Sequence, residues 1–343
     1  MDTAWIIYIC TAAAALIAVL YLYAFRYEPF NFKLSDIDIF VKDGQKVETT
    51  GDRSSRPILT ILHLSDFHLR ENPKGKKLFK FVRNLRRLDV DFILITGDML
   101  ESDKNVEYLI KMLSPLKAKY GKYAVLGVHD HYKKTVAEFL KNMFKRKRRY
   151  ERENDVSYIT KRLSGIGIEV LINKGRKISV KSSSVSDIEI IGLDDPIIKK
   201  TDIAVAFSYV SSVGEPEIQK KTDYKECYKE VFKLRKEKIH KLNKSGLLRI
   251  VMLHTPDAGS IIDLARRGSD IIFSGHTHGG QVRFPLLGAI VSGCNIKTKF
   301  ASGLFYFKKF ILYVSRGLGE GKYSQFRFYC QPEASLVRIY KVG

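Results

Sequence analysis

The chain has few cysteines, and those it has show no paired spacing. Four occur among its 343 residues, at Cys10, Cys227, Cys294 and Cys330. A disulfide framework or a zinc knuckle needs cysteines at short, repeated intervals. The sequence therefore indicates neither, and it shows no internal repeat. With 45% hydrophobic and 28% charged residues, it has the composition of an ordinary folded protein.

No charged residue interrupts positions 4–25. As a helix, these 22 residues would span roughly 33 Å, enough to cross a bilayer. Tyr21, Tyr23 and Tyr27 would suit the aromatic belt at the lipid surface. The segment lacks the basic start and the small-residue cleavage site of a signal peptide, so it predicts a retained anchor.

Basic residues are absent before this segment but follow it at Arg26, Lys33, Lys42 and Lys46. Lysine and arginine favour the cytoplasmic side of a membrane helix. We therefore expect a single-pass protein of the cell (inner) membrane whose remaining chain lies in the cytoplasm.

Acidic residues are scarce relative to basic ones, 37 against 59, which gives a formal net charge of +22. The densest basic run, residues 141–152, contains KNMFKRKRRYER and lies in an apparent insertion at about 133–155. Next to an anchor, we expect this run to bind an anionic membrane surface, at about 1 kcal/mol per basic residue. Nucleic acid is the competing partner, ranked lower because no aromatic stacking platform accompanies the run.

Five short runs rich in Asp and His each follow an apolar stretch. They read SDFH (65–68), GD (97–98), GVHD (127–130), HTPD (254–257) and GHTH (275–278). The stretches before them are typical of buried strands. Helices are expected over residues 76–88, 106–117, 136–149, 224–242 and 258–267. Because ligands bind beyond the carboxyl ends of such strands, the pattern predicts an α/β fold with a metal site at one rim.

Aspartate and histidine are good ligands for Zn²⁺, Mn²⁺ and Fe²⁺, and one carboxylate can join two ions. Two ions roughly 3.5–4 Å apart can activate water and hold the oxygens of a phosphoryl group under in-line attack. Asp66 and His68 are two residues apart and so project to one side of an extended segment. His276 and His278 share that spacing in a glycine-flanked turn, where each ring can reach a different ion.

These motifs resemble the calcineurin-like metallophosphoesterases, whose pattern is D-x-H, GD, GNH-D/E, a lone His and GH-x-H. Further matches, GLDDP (192–196), GGQVR (279–283) and VSRGLG (314–319), resemble the membrane-anchored branch of that family. The resemblance implies two mixed β-sheets packed face to face, with helices outside. It covers roughly residues 58–340.

By position, the resemblance implies that Asp66, His68, Asp98 and His278 surround the first metal. Asp98 would bridge to a second metal held by His254 and His276. The implied catalytic histidine is His129, which would protonate the leaving group. Its neighbour Asp130 would orient the ring and raise its pKa.

One position departs from the pattern, because Val128 stands where the family has asparagine. An isopropyl group cannot supply the amide oxygen that would bind the second metal. Three protein ligands would remain, which suffices for a catalytic zinc completed by water. A non-catalytic, membrane-tethered binding protein stays open as an alternative.

The remaining polar residues have simpler interpretations. His63 is expected to be a satisfied histidine beside its strand, and His131 an exposed turn histidine. Arg283 and Arg316 are candidates for contacting substrate phosphate, with structural ion pairs as the alternative. Turn or pairing roles are expected for Asp194, Asp195 and Asp257.

Together these features predict a membrane-anchored phosphohydrolase that uses two divalent ions (Mn²⁺, Zn²⁺ or Fe²⁺) on a phosphoester or pyrophosphate. Residues 1–25 would be the anchor, 26–57 a connector and 58–343 the catalytic domain. Some membrane-anchored relatives of this kind hydrolyse UDP-2,3-diacylglucosamine, an amphipathic nucleotide-lipid and lipid A precursor, and that substrate is compatible with the sequence. A general phosphodiesterase or nuclease of loose specificity is the other enzyme that fits.

Overall fold

The computed structural model describes residues 3–42, 56–133, 152–180, 185, 187–210, 224–242 and 246–342. Most of the predicted basic insertion, including the helix predicted over 136–149, lies outside the described residues. Strands are numbered along the described chain.

The larger of two main sheets has seven strands. All neighbours in it pair in parallel, except β17 and β2, which are antiparallel. In spatial order the strands are β10 (His240–Lys241), β1 (Lys33–Lys42), β17 (Glu333–Lys341), β2 (Leu59–Leu64), β3 (Phe92–Thr96), β4 (Gly121–Val125) and β7 (Ile168–Val170).

The second main sheet has six strands, with antiparallel pairs at both edges and parallel pairs between them. Its spatial order is β15 (Gly303–Tyr306), β16 (Ile311–Val314), β12 (Ile271–Ser274), β11 (Leu247–Met252), β9 (Asp187–Gly192) and β8 (Lys174–Ser179). Two short antiparallel pairs complete the set, β5 (Tyr132–Lys133) with β6 (Arg152–Glu153) and β13 (Arg283–Phe284) with β14 (Gly288–Ala289).

The two sheets pack face to face. Ile61 and Phe92 from the larger sheet share one buried cluster with Ile250 and Ile271 from the other. Helices cover both outer faces. Pro73–Asn84, Val106–Leu113 and Val156–Ser164 lie on the larger sheet, and Ile203–Ser208, Tyr224–Val231 and Ala258–Arg266 lie on the smaller one. The predicted α/β class with two packed mixed sheets and outer helices is confirmed.

Two helices are shorter than predicted. The helix expected over 106–117 ends at Leu113. The segment expected to be helical over 224–242 ends its helix at Val231. The ring of Phe232 then packs against Phe307, and Leu234 forms a bridge with Phe307 instead of continuing the helix. The prediction was wrong there because apolar contacts to the second sheet outweigh the helical propensity of a lysine- and glutamate-rich segment.

The first described element is an apolar helix, Thr3–Phe30, which contains an 18-residue stretch with a mean hydropathy of 2.3. None of the side chains in Thr3–Leu22 is buried. The helix is long and apolar enough to cross a membrane, a property that membrane anchors and signal sequences share.

The end of this helix packs on the folded domain. The amide of Arg327 donates to the carbonyl of Ala24 (3.0 Å), and the rings of Phe25 and Phe326 lie 5.4 Å apart. After it, β1 pairs with β17 along Lys33–Val41. The predicted connector, residues 26–57, thus contains a ten-residue strand of the larger sheet.

Candidate metal centre

The five Asp- and His-rich runs all leave the carboxyl ends of strands. Those from β2, β3 and β4 come from the larger sheet, and those from β11 and β12 come from the smaller one. Because the sheets face each other, the loops meet at one rim, as expected for ligand sites in parallel sheets.

One group of possible metal ligands comprises Asp66, His68 and His278, with ligand atoms within 4.8 Å of one another. Nε2 of His68 lies 3.3 Å from Nε2 of His278, which is 3.7 Å from Oδ1 of Asp66. A second group comprises Asp98, His254 and His276.

Asp98 joins the two groups. Its Oδ2 lies 3.2 Å from Nε2 of His254 and 3.6 Å from Nε2 of His68. Its Oδ1 accepts a hydrogen bond from the backbone amide of His129 (2.8 Å). The loop backbone therefore fixes one oxygen while the other faces both groups. The structure brings together all six predicted ligands.

The donor set fits a metal ion. Nδ1 of His254 lies 2.6 Å from the carbonyl of Thr96, which fixes the proton on that nitrogen. Its Nε2 is buried and makes no hydrogen bond of ordinary geometry among the described residues, although Oδ2 of Asp98 lies 3.2 Å away. A buried, unsatisfied nitrogen beside a carboxylate is costly unless a cation completes it. Imidazole and carboxylate are ligands for zinc, manganese and iron alike, so the donors leave the ion's identity open.

The backbone of these loops is strained. Five of the six predicted ligands have a left-handed φ between 43° and 67°, which non-glycine residues adopt rarely. They are Asp66, His68, Asp98, His276 and His278. Such strain persists only where the surrounding structure holds it, and it concentrates at functional sites.

Glycines allow the loops to approach. A Cβ on Gly275 would lie 1.9 Å from Oγ of Ser65 and 2.3 Å from Oδ2 of Asp66. A Cβ on Gly127 would lie 2.2 Å from Oδ1 of Asp98. These two loops can thus close around the carboxylates only with glycine at these positions.

Glu101, which sequence reasoning missed, lies between His68 and His129. Its Oε1 is 3.0 Å from Nδ1 of His68, and its Oε2 is 3.3 Å from Nδ1 of His129. The amide of Lys322 donates to Oε1 (2.8 Å). The available signal was an acid three residues after Asp98 in the same loop.

Asp130 has a different position from the one expected for it. Its carboxylate accepts hydrogen bonds from the amides of Met99, Leu100 and Gly127, at 2.8, 3.1 and 3.0 Å. Burial and the nearby Asp98 raise the pKa of Asp130 to about 7. Asp130 holds two loops together, while Glu101 is the carboxylate that meets Nδ1 of His129.

Charge is balanced within the cluster. Burial disfavours ionisation of Asp98, but His254, His129 and His68 outweigh it and hold its pKa well below the ordinary value. Burial lowers the pKa of His254, yet Asp98 outweighs it and raises that pKa well above the ordinary value. Ionised carboxylates thus lie next to protonated imidazoles in this cluster. A divalent cation bound there would displace the protons from the imidazole nitrogens that bind it.

Val128 is buried, with 2% of its surface exposed, and its side chain carries no ligand atom. The second group consists of the three remaining donors. His131 is buried rather than exposed, so that expectation was wrong, and its Nε2 lies 2.7 Å from Oδ1 of Asp194. This pairing explains its burial and places it as a bridge between loops.

The other polar residues have structural partners, as expected. Nε2 of His63 lies 2.8 Å from Oγ1 of Thr96. The carboxylate of Asp195 accepts from the hydroxyl of Thr255, and that of Asp257 caps the helix Ala258–Arg266 through Ser260.

A cleft of about 250 Å³ opens over His68, Asp98, His129 and His276, and Lys322 also lines it. Arg283 and Arg316 line a neighbouring cavity of about 800 Å³ at the end of the N-terminal helix. Nη1 of Arg283 donates to the carbonyl of Gly279 (2.9 Å). Among the described residues, Lys322 is the lysine that lines the metal cleft, and no arginine lines it.

Residues 59–280 match the family model described as calcineurin-like phosphoesterase. The chain belongs to this family. It is a metallophosphoesterase, a hydrolase of a family that uses two metal ions, and the two joined ligand groups are its candidate dimetal site.

Among relatives, the metallophosphoesterase YkoQ of Bacillus subtilis is 26% identical over 317 residues, covering 91% of this chain and 92% of YkoQ. UDP-2,3-diacylglucosamine pyrophosphatase LpxG of Chlamydia trachomatis is 26% identical over 318 residues, covering 82% of this chain and 83% of LpxG. The solved structure of phosphopantetheinyl hydrolase PptH from Mycobacterium tuberculosis is 11% identical, with a TM-score of 0.37, and covers 78% of this chain and 94% of its own.

Proposed function

We propose that this metallophosphoesterase is anchored in the cell (inner) membrane, with its catalytic domain in the cytoplasm, and cleaves a phosphoester or pyrophosphate at the membrane surface. The catalytic part of this proposal rests on the position of Asp98, whose Oδ2 faces both ligand groups. A shared carboxylate between two sets of histidines is the arrangement that holds two divalent ions side by side.

Bound there, two such ions would lower the pKa of water to give the nucleophile and would stabilise charge on the phosphoryl oxygens. His129 lines the cleft, and Glu101 lies at its Nδ1. The ring is then oriented to donate a proton through Nε2 to the leaving oxygen. Lys322 supplies positive charge to the substrate phosphate.

UDP-2,3-diacylglucosamine is the substrate that we propose to test first. The resemblance to LpxG supports it, as does the apolar N-terminal helix, which would keep the cleft near amphipathic lipids. Hydrolysis of its pyrophosphate would release UMP and the acylated sugar phosphate.

The proposal is tested by analysing products from UDP-2,3-diacylglucosamine with added Mn²⁺, beside a panel of lipid, nucleotide and nucleic-acid phosphoesters. Release of UMP, with little cleavage elsewhere in the panel, would support the lipid substrate. Similar cleavage across the panel would replace it with a general phosphodiesterase. A chain that binds no metal and cleaves nothing would be a tethered binding protein instead.

Two substitutions separate metal binding from proton transfer. We expect Asp98→Ala to abolish both activity and loading of two metals, because both groups lose their shared ligand. His129→Ala should keep the metals but reduce turnover by ~10²–10⁴-fold, as for loss of a general acid. Metal content and turnover are measured on both variants. A fully loaded, fully active Asp98→Ala protein would end the two-metal hypothesis.

A further inference from the structure

A short apolar hairpin follows the last metal loop. It comprises residues 284–291 and includes the turn that joins β13 to β14. Leu286 and Leu287 at this turn are 107% and 83% exposed, and Ile290 and Val291 are each 59% exposed. Tight turns in water are usually built from Gly, Asn, Asp or Ser, whereas this one reads Pro-Leu-Leu-Gly.

The turn also stores strain in an apolar residue. Leu286 has a φ of 69°, a left-handed conformation that favours glycine or asparagine. Because the side chain of Leu286 is fully exposed, no apolar packing within the protein compensates the free energy of this backbone strain. Contiguous apolar surface of this kind marks a contact with a partner or a membrane.

The hairpin lies beside the end of the N-terminal helix. The amide of Arg283 donates to the carbonyl of Phe328 (2.9 Å), and the Phe284 and Phe328 rings lie 6.1 Å apart. The Phe328 ring in turn lies 5.5 Å from that of Tyr23 at the helix end. The end of the N-terminal helix and the hairpin line the same cavity. Tyr27 and Leu286 are among the residues that line it.

The charges around this cavity suit a phospholipid surface. Arg283 and Arg316 line it, and Glu28 is the acid in its lining. Residues 282–300 contain one arginine and two lysines but neither aspartate nor glutamate. Arginine, tyrosine and exposed leucine together are typical of protein surfaces that sit at the boundary between headgroups and acyl chains.

We infer that residues 284–291 insert into the lipid surface beside the N-terminal helix and form a second membrane contact. This inference rests on the anchor in the proposed function. Leu286 and Leu287 enter the acyl region, while Arg283 and Arg316 face lipid phosphates.

The hairpin is coupled to the metal cleft. Val291 lines that cleft together with His276 and His278. At Gly280 the loops are so close that a Cβ would lie 2.6 Å from Cβ of Ala289. Insertion therefore places one wall of the cleft at the lipid surface, where an amphipathic phosphoester can reach it without leaving the bilayer.

Tryptophan fluorescence in the full chain tests this contact, because Trp5 is the single tryptophan and lies in the N-terminal helix. The wild-type protein and a Trp5→Phe/Leu287→Trp variant are reconstituted in phosphatidylcholine–phosphatidylglycerol vesicles with brominated acyl chains. We expect the Leu287→Trp reporter to be quenched by the brominated lipid and shielded from iodide. Ile290→Trp in the same background is a second reporter if the first variant fails to fold.

The control is Trp5→Phe/Lys117→Trp, because Lys117 is exposed and precedes the amino end of β4, away from the carboxyl ends of the strands that carry the metal loops. It should be quenched by iodide and not by lipid. If both hairpin reporters behave like this control while Trp5 in the wild type is quenched by lipid, the hairpin does not insert and only this inference falls. If Trp5 itself escapes quenching, the anchor is wrong and the hairpin contact falls with it.

Discussion

Val128 leaves the second ligand group with Asp98, His254 and His276. The side chain of Val128 is buried, so it leaves no room for a water molecule in the place of the missing asparagine oxygen. His131 is not a ready substitute, since its Nε2 is held by Asp194. We therefore expect a second site that is complete enough to work but binds its metal more weakly than the first.

Restoring the amide tests this expectation. Val128→Asn should tighten binding of the second metal and raise activity at limiting Mn²⁺ or Zn²⁺, because the new oxygen adds a ligand. Val128→Leu, which has nearly the shape of asparagine but no ligand oxygen, is the control and should not tighten binding of the second metal. If the native protein already binds two metals tightly and Val128→Asn lowers activity, the missing ligand is compensated in another way.

Glu101 contacts a predicted metal ligand and the predicted catalytic histidine at once. Glu101→Gln keeps the shape but removes the charge, and we expect turnover or metal affinity to fall about 10–100-fold. Glu107→Gln is the matched control, because Glu107 pairs with Arg162 on the surface and should leave both unchanged. Steady-state kinetics and metal titration check both variants. If Glu101→Gln leaves turnover and metal affinity unchanged, Glu101 does not orient the rings of His68 and His129.

The strands that lead into the site could be predicted from sequence because their apolar runs are short and each is followed by one of the five Asp- and His-rich runs. Each of the five leads is a strand in the structure, β2, β3, β4, β11 and β12. Glu101 could not be found in this way, since an isolated acid in a loop carries no pattern until the fold brings the two histidines to it. Arg283 and Arg316 were expected near the metals but line the neighbouring cavity at the end of the N-terminal helix.

The loops depend on glycine for their approach. Gly275→Ala should disrupt metal loading, because its Cβ would overlap Ser65 and the carboxylate of Asp66. Gly165→Ala is a suitable control, since that Cβ would meet its nearest atom at 3.4 Å in an ordinary helical conformation. The control should be neutral or more stable by about 0.4–1 kcal/mol. Full metal loading of Gly275→Ala, measured by mass spectrometry, would show that the loop does not need glycine to approach Ser65 and Asp66.

For the whole molecule, the boundary between helix and domain falls after Leu22. No side chain of Thr3–Leu22 is buried, so a protein that lacks residues 1–22 should be soluble and keep its activity on a soluble phosphodiester. Deleting residues 1–30 also removes the Ala24 carbonyl and the rings that pack on Phe326 and Phe328, and should lower the melting temperature by several degrees. Equal melting temperatures for the two deletions would show that the contacts at the helix end contribute no stability.

The position of β17 between β1 and β2 has a consequence for the order of events during synthesis. The hydroxyl of Ser35 donates to the carboxylate of Glu333, 298 positions later in the chain, across this pairing. Strand β1 therefore leaves the ribosome long before β17, the strand with which it pairs along nine residues. Until then two strand edges in the middle of the larger sheet stay open, which favours aggregation. A nascent chain in this state would depend on chaperones until β17 emerges.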